Sequence, residues 1–417
     1  MMRLMKALRH EAPPVGILRQ RLAQTGAVEE GKLVAVSFHA YHRQNVGKTV
    51  LVRALGEGLR QGASLGGSGL GAVQNLANGR SNSAVLPAPG DVFATVKSDH
   101  LPVPSLLASG AVVAPPEWTE PPTPMLERIL VPGSERDENK LSETLAKLSE
   151  TDRGLKVLQE EGTGAQLVRA QGPVHLRDLC RTLAEVFHIS VTERTPSPIY
   201  RETIAKPSEV HYRHRKQTGG AGQFADVKLS IHPNARGQGF TFGETVKGGA
   251  VPRNYFPAVE AGAREAMEKG PLGFEVIDVG VTLLDGQHHA VDSSEHAFRT
   301  ASKMGVRQAL SEGSPVLMQP IFRTEFHIPS VYSGSLVQIV AALNGQVLGF
   351  DRDETAKGWD IFRALVPGGA LEDLARALRS ATQGIGYFSK TFDHFEELYG
   401  KEADAILRAK EKAGTAH

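Results

Sequence analysis

LERILVPGSERDENKLSETLAKLSETDRGLKVLQEEGTGAQLVRAQGPVHLRDLCRTLAEVFHISVTER, residues 126–194, decides how the chain is read. Leu126–Pro132 is a short apolar run that predicts a strand. Leu141, Leu145 and Leu148 follow at helical spacing and share one face. Two further strands are expected around the turn at Gly162–Gly164. Pro173 suits the first turn of a helix, where its missing N–H costs nothing, and Leu176, Leu179, Leu183 and Val186 stack along one side of that helix. Ile189–Arg194 adds a last strand, so the order is β-α-β-β-α-β.

Residues 319–396 repeat that order without evident sequence identity. Strand Ile321–Ile328 leads to a helix carrying Leu336, Ile339, Val340 and Leu343. Strands Gln346–Asp351 and Asp360–Val366, a helix with Leu371, Leu374 and Leu378, and a closing strand complete it. Two ferredoxin-like units, 125–198 and 319–398, therefore flank a central block, 199–318. That block has longer strands and two expected helices, Phe256–Lys269 and Ser294–Ser311. Residues 33–113 alternate β-branched residues with Gly-rich turns, which suits a small antiparallel β-barrel. The prolines of 114–124 around Trp118 read as a linker, and Lys401–Lys412, within the tail 399–417, as a solvated terminal helix. The expected fold class is multidomain α+β.

A length of 417 residues calls for several domains. With 41% hydrophobic and 22% charged residues, the composition is that of soluble globular protein. No run approaches the eighteen or so apolar residues of a membrane span, and the N-terminus lacks the apolar core of a secretion signal. The single cysteine, Cys180, cannot form an internal disulfide, which fits a reducing, cytoplasmic location. It sits on the Leu176/Leu183 helix face and is expected to be a buried core thiol. Net charge is +1, so contact with RNA has to come from local patches.

HRKQTGGAGQFADVK (214–228), GGAVPRNYFPAVEAG (248–262) and HHAVDSSEHAF (288–298) resemble the central domain, domain IV, of elongation factor G. NGQVLGF (344–350) and LRSATQGIGYFSKTFDHFEEL (378–398) resemble its C-terminal domain. DENKLSETLAKLSETDR (137–153) and YRETIAK (200–206) resemble the third domain and its exit, and GKTVLVRALGEGLRQG (47–62) the barrel after the GTPase domain. KALRHEAP (6–13) looks like the end of the GTPase domain, so residues 1–32 are expected to be a remnant of it. The resemblance implies domains II to V without the GTPase domain.

No nucleotide site is expected in this chain. The P-loop pattern needs a glycine five positions before Gly47-Lys48-Thr49, where His42 stands, and a helix after it, where VLVRAL reads as strand. Asn139-Lys140 resembles a guanine-reading motif, but Ser142 replaces the Asp that would bind the base. Gly67–Ala72 fits a dinucleotide fingerprint with no βαβ unit around it. GTP and magnesium would belong only to the missing domain, so the chain is read as non-enzymatic and without a cofactor.

Two loops of the central block are the candidate sites. The first combines Arg215 and Lys216 with Gln217, Gly219, Gly220, Gly222 and Gln223. Its glycines allow close backbone approach to RNA and its cations meet phosphates. The second carries His288 and His289. The resemblance places the first loop at the tip that enters the decoding site and makes His289 the tip histidine near codon–anticodon pairing. Ala221 and Ala290 depart from residues common in the family, Arg and Asp.

His289, Asp292 and Ser293 are neighbours on one loop, which suits helix capping by Asp292 and Ser293 better than a hydrolase triad. His211 and His214 fall on opposite strand faces, and His288, His289 and His296 lack a Cys or acidic companion at metal-site spacing. Tyr332, Arg363, Arg379, Lys390 and His394 are available for rRNA contact in the C-terminal unit. The resemblance implies a monomer that binds the ribosome (its rRNA, decoding site, tRNA and mRNA), touches no membrane, and promotes translocation by inserting the central domain. A GTPase-free regulator or inhibitor of translation is the alternative.

Overall fold

The computed structural model describes residues 15–17, 20, 33–43, 46–75, 86–108, 110–113, 121–160, 163–216, 222–248 and 250–414. Nearly all of the expected remnant 1–32, most of the linker 114–124 and Gly162 lie outside the described residues. The chain forms two compact units, Met1–Pro196 and Ser197–His417.

The first unit opens with strands β1 (Leu33–Arg43), β2 (Gly47–Ala54), β3 (Ser64–Leu65), β4 (Ser68–Gly69), β5 (Ala72–Asn75), β6 (Val92–Val96), β7 (Ser105–Ala108) and β8 (Val112–Val113). Alternation along β2 turns Val50, Val52 and Ala54 into a core with Leu65, Phe93 and Leu107. A closed barrel is expected from the sequence. Among the described residues the strands form a six-stranded sheet, β5-β6-β2-β1-β7-β8, with β5 and β8 at its ends and no pairing between them. Residues 76–85 and 114–120, which follow those end strands, are not described. Gly47-Lys48-Thr49 begins β2, and the Lys48 ammonium donates to the carbonyls of Asp99 (3.4 Å) and Leu101 (3.1 Å).

The β-α-β-β-α-β run then appears as β9 (Leu126–Pro132), α1 (Glu138–Thr151), β10 (Lys156–Gln159), β11 (Gln166–Ala170), α2 (Pro173–Glu185) and β12 (Val191–Arg194). Its sheet order is β10-β11-β9-β12. Leu141 and Leu145 of α1 and Leu176, Leu179 and Leu183 of α2 pack on Leu130 and Val168. Val186 departs from expectation: it caps the end of α2 and is exposed.

In the second unit, β13 (Arg201–Ile204) precedes β14 (Ser208–Lys216), β15 (Gln223–Pro233), β16 (Thr241–Glu244), α3 (Phe256–Met267), β17 (Val279–Gln287) and α4 (Glu295–Glu312). The sheet order is β14-β15-β17-β16. Helices α3 and α4 bury one face of it, with Val210, Val227, Leu229, Val281 and Leu283 meeting Val259, Ala263, Phe298 and Ala301. The helices cross closely at Gly262, where an added Cβ would lie 2.1 Å from the Arg299 carbonyl oxygen.

A long strand, β18 (Pro315–Pro329), then starts the second βαββαβ run: α5 (Ser333–Ala342), β19 (Gln346–Arg352), β20 (Trp359–Pro367), α6 (Leu371–Ala381) and β21 (Tyr387–Leu398). The boundary expected at 318/319 falls inside β18. Its first residues, Pro315–Met318, pair with β13, while Ile321–Pro329 pair with β20. One uninterrupted strand therefore serves both domains. The terminal helix α7 (Gly400–Gly414) is more than a solvated tail. Ala403 and Ile406 pack with Leu317 and Leu398, and the Lys410 ammonium lies 5.0 Å from the Phe274 ring centre.

Cys180 is half-buried rather than fully enclosed, and its Sγ lies 3.6 Å from the Glu193 carboxylate on β12. Burial, then the negative charge of Glu193 and the hydrogen bond to it, push the thiol up to about 11. The thiol therefore stays protonated through neutral pH and gives up its proton only in strong alkali. Alkylation with iodoacetamide at about pH 8 is expected to run on the order of ten- to a hundredfold slower than for free cysteine. Glu193→Gln, which removes the charge, is expected to speed it. An alkylation rate equal to that of free cysteine would contradict this environment.

Candidate nucleic-acid interface

One end of the central sheet gathers three segments of chain. Strand β14 runs out to Lys216 and β15 returns from Gln223, which is its partner across the pair. Strand β17 ends at Gln287 opposite Asp226, so the 288–294 segment leaves the sheet at the same end. The His288 Nδ1 lies 3.2 Å from the Ala250 carbonyl, which brings the loop before α3 to the same place.

Strand alternation sorts the cations. His211, Arg213 and Arg215 share the face away from the helices with their cross-strand partners Lys228, Asp226 and Phe224. The buried Asp226 carboxylate holds His211 Nε2 on one oxygen and Arg213 Nε on the other, each at 2.7 Å. Those two side chains are committed within the sheet. Arg215 and Lys216 are exposed and have no ion-pair partner among the described residues.

Gln223 is tied down as well, accepting from His214 Nε2 at 2.9 Å. Gly222 runs so close to the second loop that an added Cβ would sit 2.8 Å from Asp292 Oδ1. Gln217, Gly219 and Gly220 lie outside the described residues.

The 288–294 segment is a hydrogen-bonded turn. Ser293 Oγ accepts from the His289 amide and donates to the Phe224 carbonyl, both at 2.8 Å. The Phe224 amide donates back to the Asp292 carbonyl at 2.8 Å. Within the turn, the amides of Val291 and Asp292 donate to His289 Nδ1 at 3.4 and 3.2 Å. The His289 ring stands edge-to-face with Phe224, 6.3 Å between centroids. Capping expected of Asp292 and Ser293 is done by Ser294, whose side chain accepts from the Ala297 amide. The helix starts at Glu295, one residue later than expected, which leaves Asp292 and Ser293 to bind the loop to β15. The Ser293 hydroxyl donates to a carbonyl and so is not poised as a nucleophile against an imidazole.

Two more cations stand on the third loop. Lys247 and Arg253 are exposed, with no ion-pair partner among the described residues. Arg253 lies in the GGAVPRNYFPAVEAG stretch, and a cation between prolines ahead of a helix was the signal for it. Arg215 and Lys216 thus end β14 at the same end of the sheet as the turn that leads into α4, and Lys247 and Arg253 flank in sequence the Ala250 carbonyl that meets His288. Such an array suits phosphate groups. In the C-terminal unit Arg363 is clamped by Glu325 (3.0 Å) and Asp351 (2.6 Å). His394 pairs with Asp393, and Lys390 lies 5.3 Å from the Phe322 ring centre.

Comparison with known proteins assigns these blocks. Residues 196–314 match the family model for elongation factor G, domain IV, and 316–406 that for the elongation factor G C-terminus. Residues 121–194 match elongation factor G, domain III. The chain belongs to the elongation factor G family. An elongation factor G-like protein of Synechocystis sp. (strain ATCC 27184 / PCC 6803 / Kazusa) is 34% identical over 391 residues, covering 94% of this chain and 58% of that protein. A crystal structure from Thermus thermophilus superposes with a TM-score of 0.68 at 28% identity, over 99% of this chain and 61% of its own. The chain thus spans about three fifths of the length of each. All three loops lie within the residues that match domain IV.

Ser293→Ala is expected to remove the bridge between His289 and Phe224. Hydrogen exchange at the His289 amide should then rise about tenfold or more, as befits a lost hydrogen bond of ~1–2 kcal/mol. Ser294→Ala should instead cost the helix start ~1 kcal/mol, read as a lower denaturation midpoint. Unchanged exchange in Ser293→Ala would contradict the bridge.

Proposed function

We propose that this chain is the ribosome-binding part of an elongation factor G-like translation factor. Its domain IV tip enters the decoding site and promotes movement of tRNA and mRNA. The observation that carries this reading is the convergence of three loops at one end of the domain IV sheet. They carry four exposed cations without an ion-pair partner among the described residues and two exposed histidines, while His211 and Arg213 further along β14 are held by Asp226.

The contacts fall to Arg215, Lys216, Gln217, Gly219, Gly220, Gly222, Gln223, His288 and His289, with Lys247 and Arg253 added from the third loop. Cations supply a salt-dependent attraction to phosphates, and glycines let the backbone approach. The chain itself carries out no nucleotide chemistry in this reading. Gly47-Lys48-Thr49 supports that view, because Lys48 is bonded to two carbonyls within a strand. GTP and magnesium act on a domain outside the matched regions. The protein works as a monomer in the cytoplasm. No helix among the described residues is long and apolar enough to cross a membrane.

Co-sedimentation with ribosomes over a salt series tests the reading. Wild type is expected to pellet at low salt and to release as salt rises. In Lys216→Ala/Arg253→Ala the slope of log affinity against log salt should fall by ~1.5, at roughly 0.7–0.9 per lost phosphate contact. Failure of wild type to pellet at any salt, or an unchanged slope in the variant, would sink it.

A further inference from the structure

Domain IV and the C-terminal domain share β18, whose first residues are paired along both edges. Leu317 lies opposite Glu202 of β13 on one side and Leu398 of β21 on the other, and Met318 lies opposite Arg201 and Glu397. Relative motion of two joined domains is the default unless an apolar interface holds them. Such an interface is built here, and it starts from a buried carboxylate.

Glu202 is buried, and its carboxylate is met by main-chain amides. Oε2 accepts from Leu272 at 2.8 Å and Oε1 from Phe274 at 2.9 Å. The Glu202 backbone donates to the Glu275 carbonyl at 3.0 Å and accepts from Ile277 at 2.8 Å. An added Cβ on Gly270 would stand 2.4 Å from Oε1, so the 270–274 loop lies directly on the carboxylate. Burying a charge is costly unless hydrogen bonds compensate it, so Glu202 and the loop hold each other in place.

The loop carries domain IV onto α7. Leu272 and Phe274 cluster with Ala403 and Ile406 of that helix around Leu317 and Leu398. Tyr200 stands edge-to-face with Phe274 at 6.1 Å, and the Lys410 ammonium lies 5.0 Å from the same ring. A second strut comes from the 234–239 loop. The buried Asp278 accepts from the Gly237 and Gly239 amides at 3.1 and 2.8 Å, and the neighbouring Arg236 pairs with Glu397 of β21. Ion pairs this exposed contribute little by themselves, so the apolar cluster on α7 carries the joint. The chain enters α7 through Gly400, whose φ of 74° is a left-handed turn that suits glycine. Helix α7 is thus a strap turned back onto domain IV.

We infer that α7 is a brace that locks domain IV to the C-terminal domain, with Glu202 seating the loop on which it closes, so that the two domains move as one. The brace is independent of what domain IV touches.

Spin labels at Ala290→Cys in domain IV and Ser380→Cys on α6, both exposed positions, in a Cys180→Ala background report the distance between the domains by pulsed electron resonance. The intact chain is expected to give one narrow distance population. Ile406→Ala/Lys410→Ala, which weakens the strap, and a chain ended after Tyr399, which removes it, should each give a broad or second population. In Glu202→Gln the Leu272 and Phe274 amides should exchange hydrogen on the order of tenfold faster or more, since the new side-chain nitrogen cannot accept. Amides of β15 should keep their protection in every full-length variant.

A broad population in the intact chain, or a narrow one left unchanged in Ile406→Ala/Lys410→Ala, would overturn the brace. Loss of β15 protection in that variant would overturn it as well, because α7 would then belong to the domain IV core rather than bridge to it. Unchanged exchange at Leu272 and Phe274 in Glu202→Gln would overturn the seat assigned to Glu202. The double alanine variant keeps the full chain and decides the matter where the shortened chain does not fold.

Discussion

Strand β15 is hydrogen-bonded along both edges, and the register of its two ladders is the constraint on which the functional end of the molecule depends. Lys216 opposite Gln223 on one side, and Gln287 opposite Asp226 on the other, make two loops far apart in sequence leave the sheet together. A slip of one residue would turn Val227, Leu229 and Ile231 out of the core. Those side chains are fully buried against α3 and α4, so burial fixes the register and the register fixes the tip. The close crossing of those helices at Gly262 keeps the apolar layer over the sheet.

Polar contacts then finish what the sheet begins. Phe224 exchanges backbone hydrogen bonds with the 292–293 segment, through the Asp292 carbonyl and the Ser293 hydroxyl. Exposed side chains can be aimed only if the backbone beneath them is held, and here the holding groups are short: serine, glycine and main chain. Asp226 contributes by exclusion. By engaging His211 and Arg213 it leaves Arg215 and Lys216 as the cations of β14 without an ion-pair partner among the described residues, nearest the tip.

Much of this was legible in the sequence, for reasons that differ from place to place. The leucines of α1, α2 and α6 recur at helical spacing strongly enough that both βαββαβ runs could be read in order. Local capping was legible to within a residue, and Ser294 rather than Asp292 or Ser293 took the role because three serine or aspartate residues in a row compete for it. Non-local pairing was not legible. Pro315–Met318 looks like a connector until β13, over a hundred residues earlier, is found beside it. Whether β5 meets β8 is likewise a matter of pairing, and alternation alone cannot tell a closed barrel from an open ladder. The partner of His288, the Ala250 carbonyl, is a backbone group with no signature in sequence. Cys180 followed its helix face correctly but sits where that face meets Glu193, and half-burial was the result.

Family membership accounts for the architecture of domains III, IV and the C-terminus, while the geometry of the tip carries the proposal about action. The most direct test of that central claim is hydroxyl-radical probing from the tip. A single cysteine placed by Ala290→Cys in a Cys180→Ala background, carrying tethered iron chelate, is bound to ribosomes and the rRNA cleavage mapped. The account expects cuts confined to the decoding region of the small subunit, and none there from a probe at Glu372 on α6. Absence of cleavage from Ala290→Cys on bound ribosomes, or the same cuts from both positions, would contradict it.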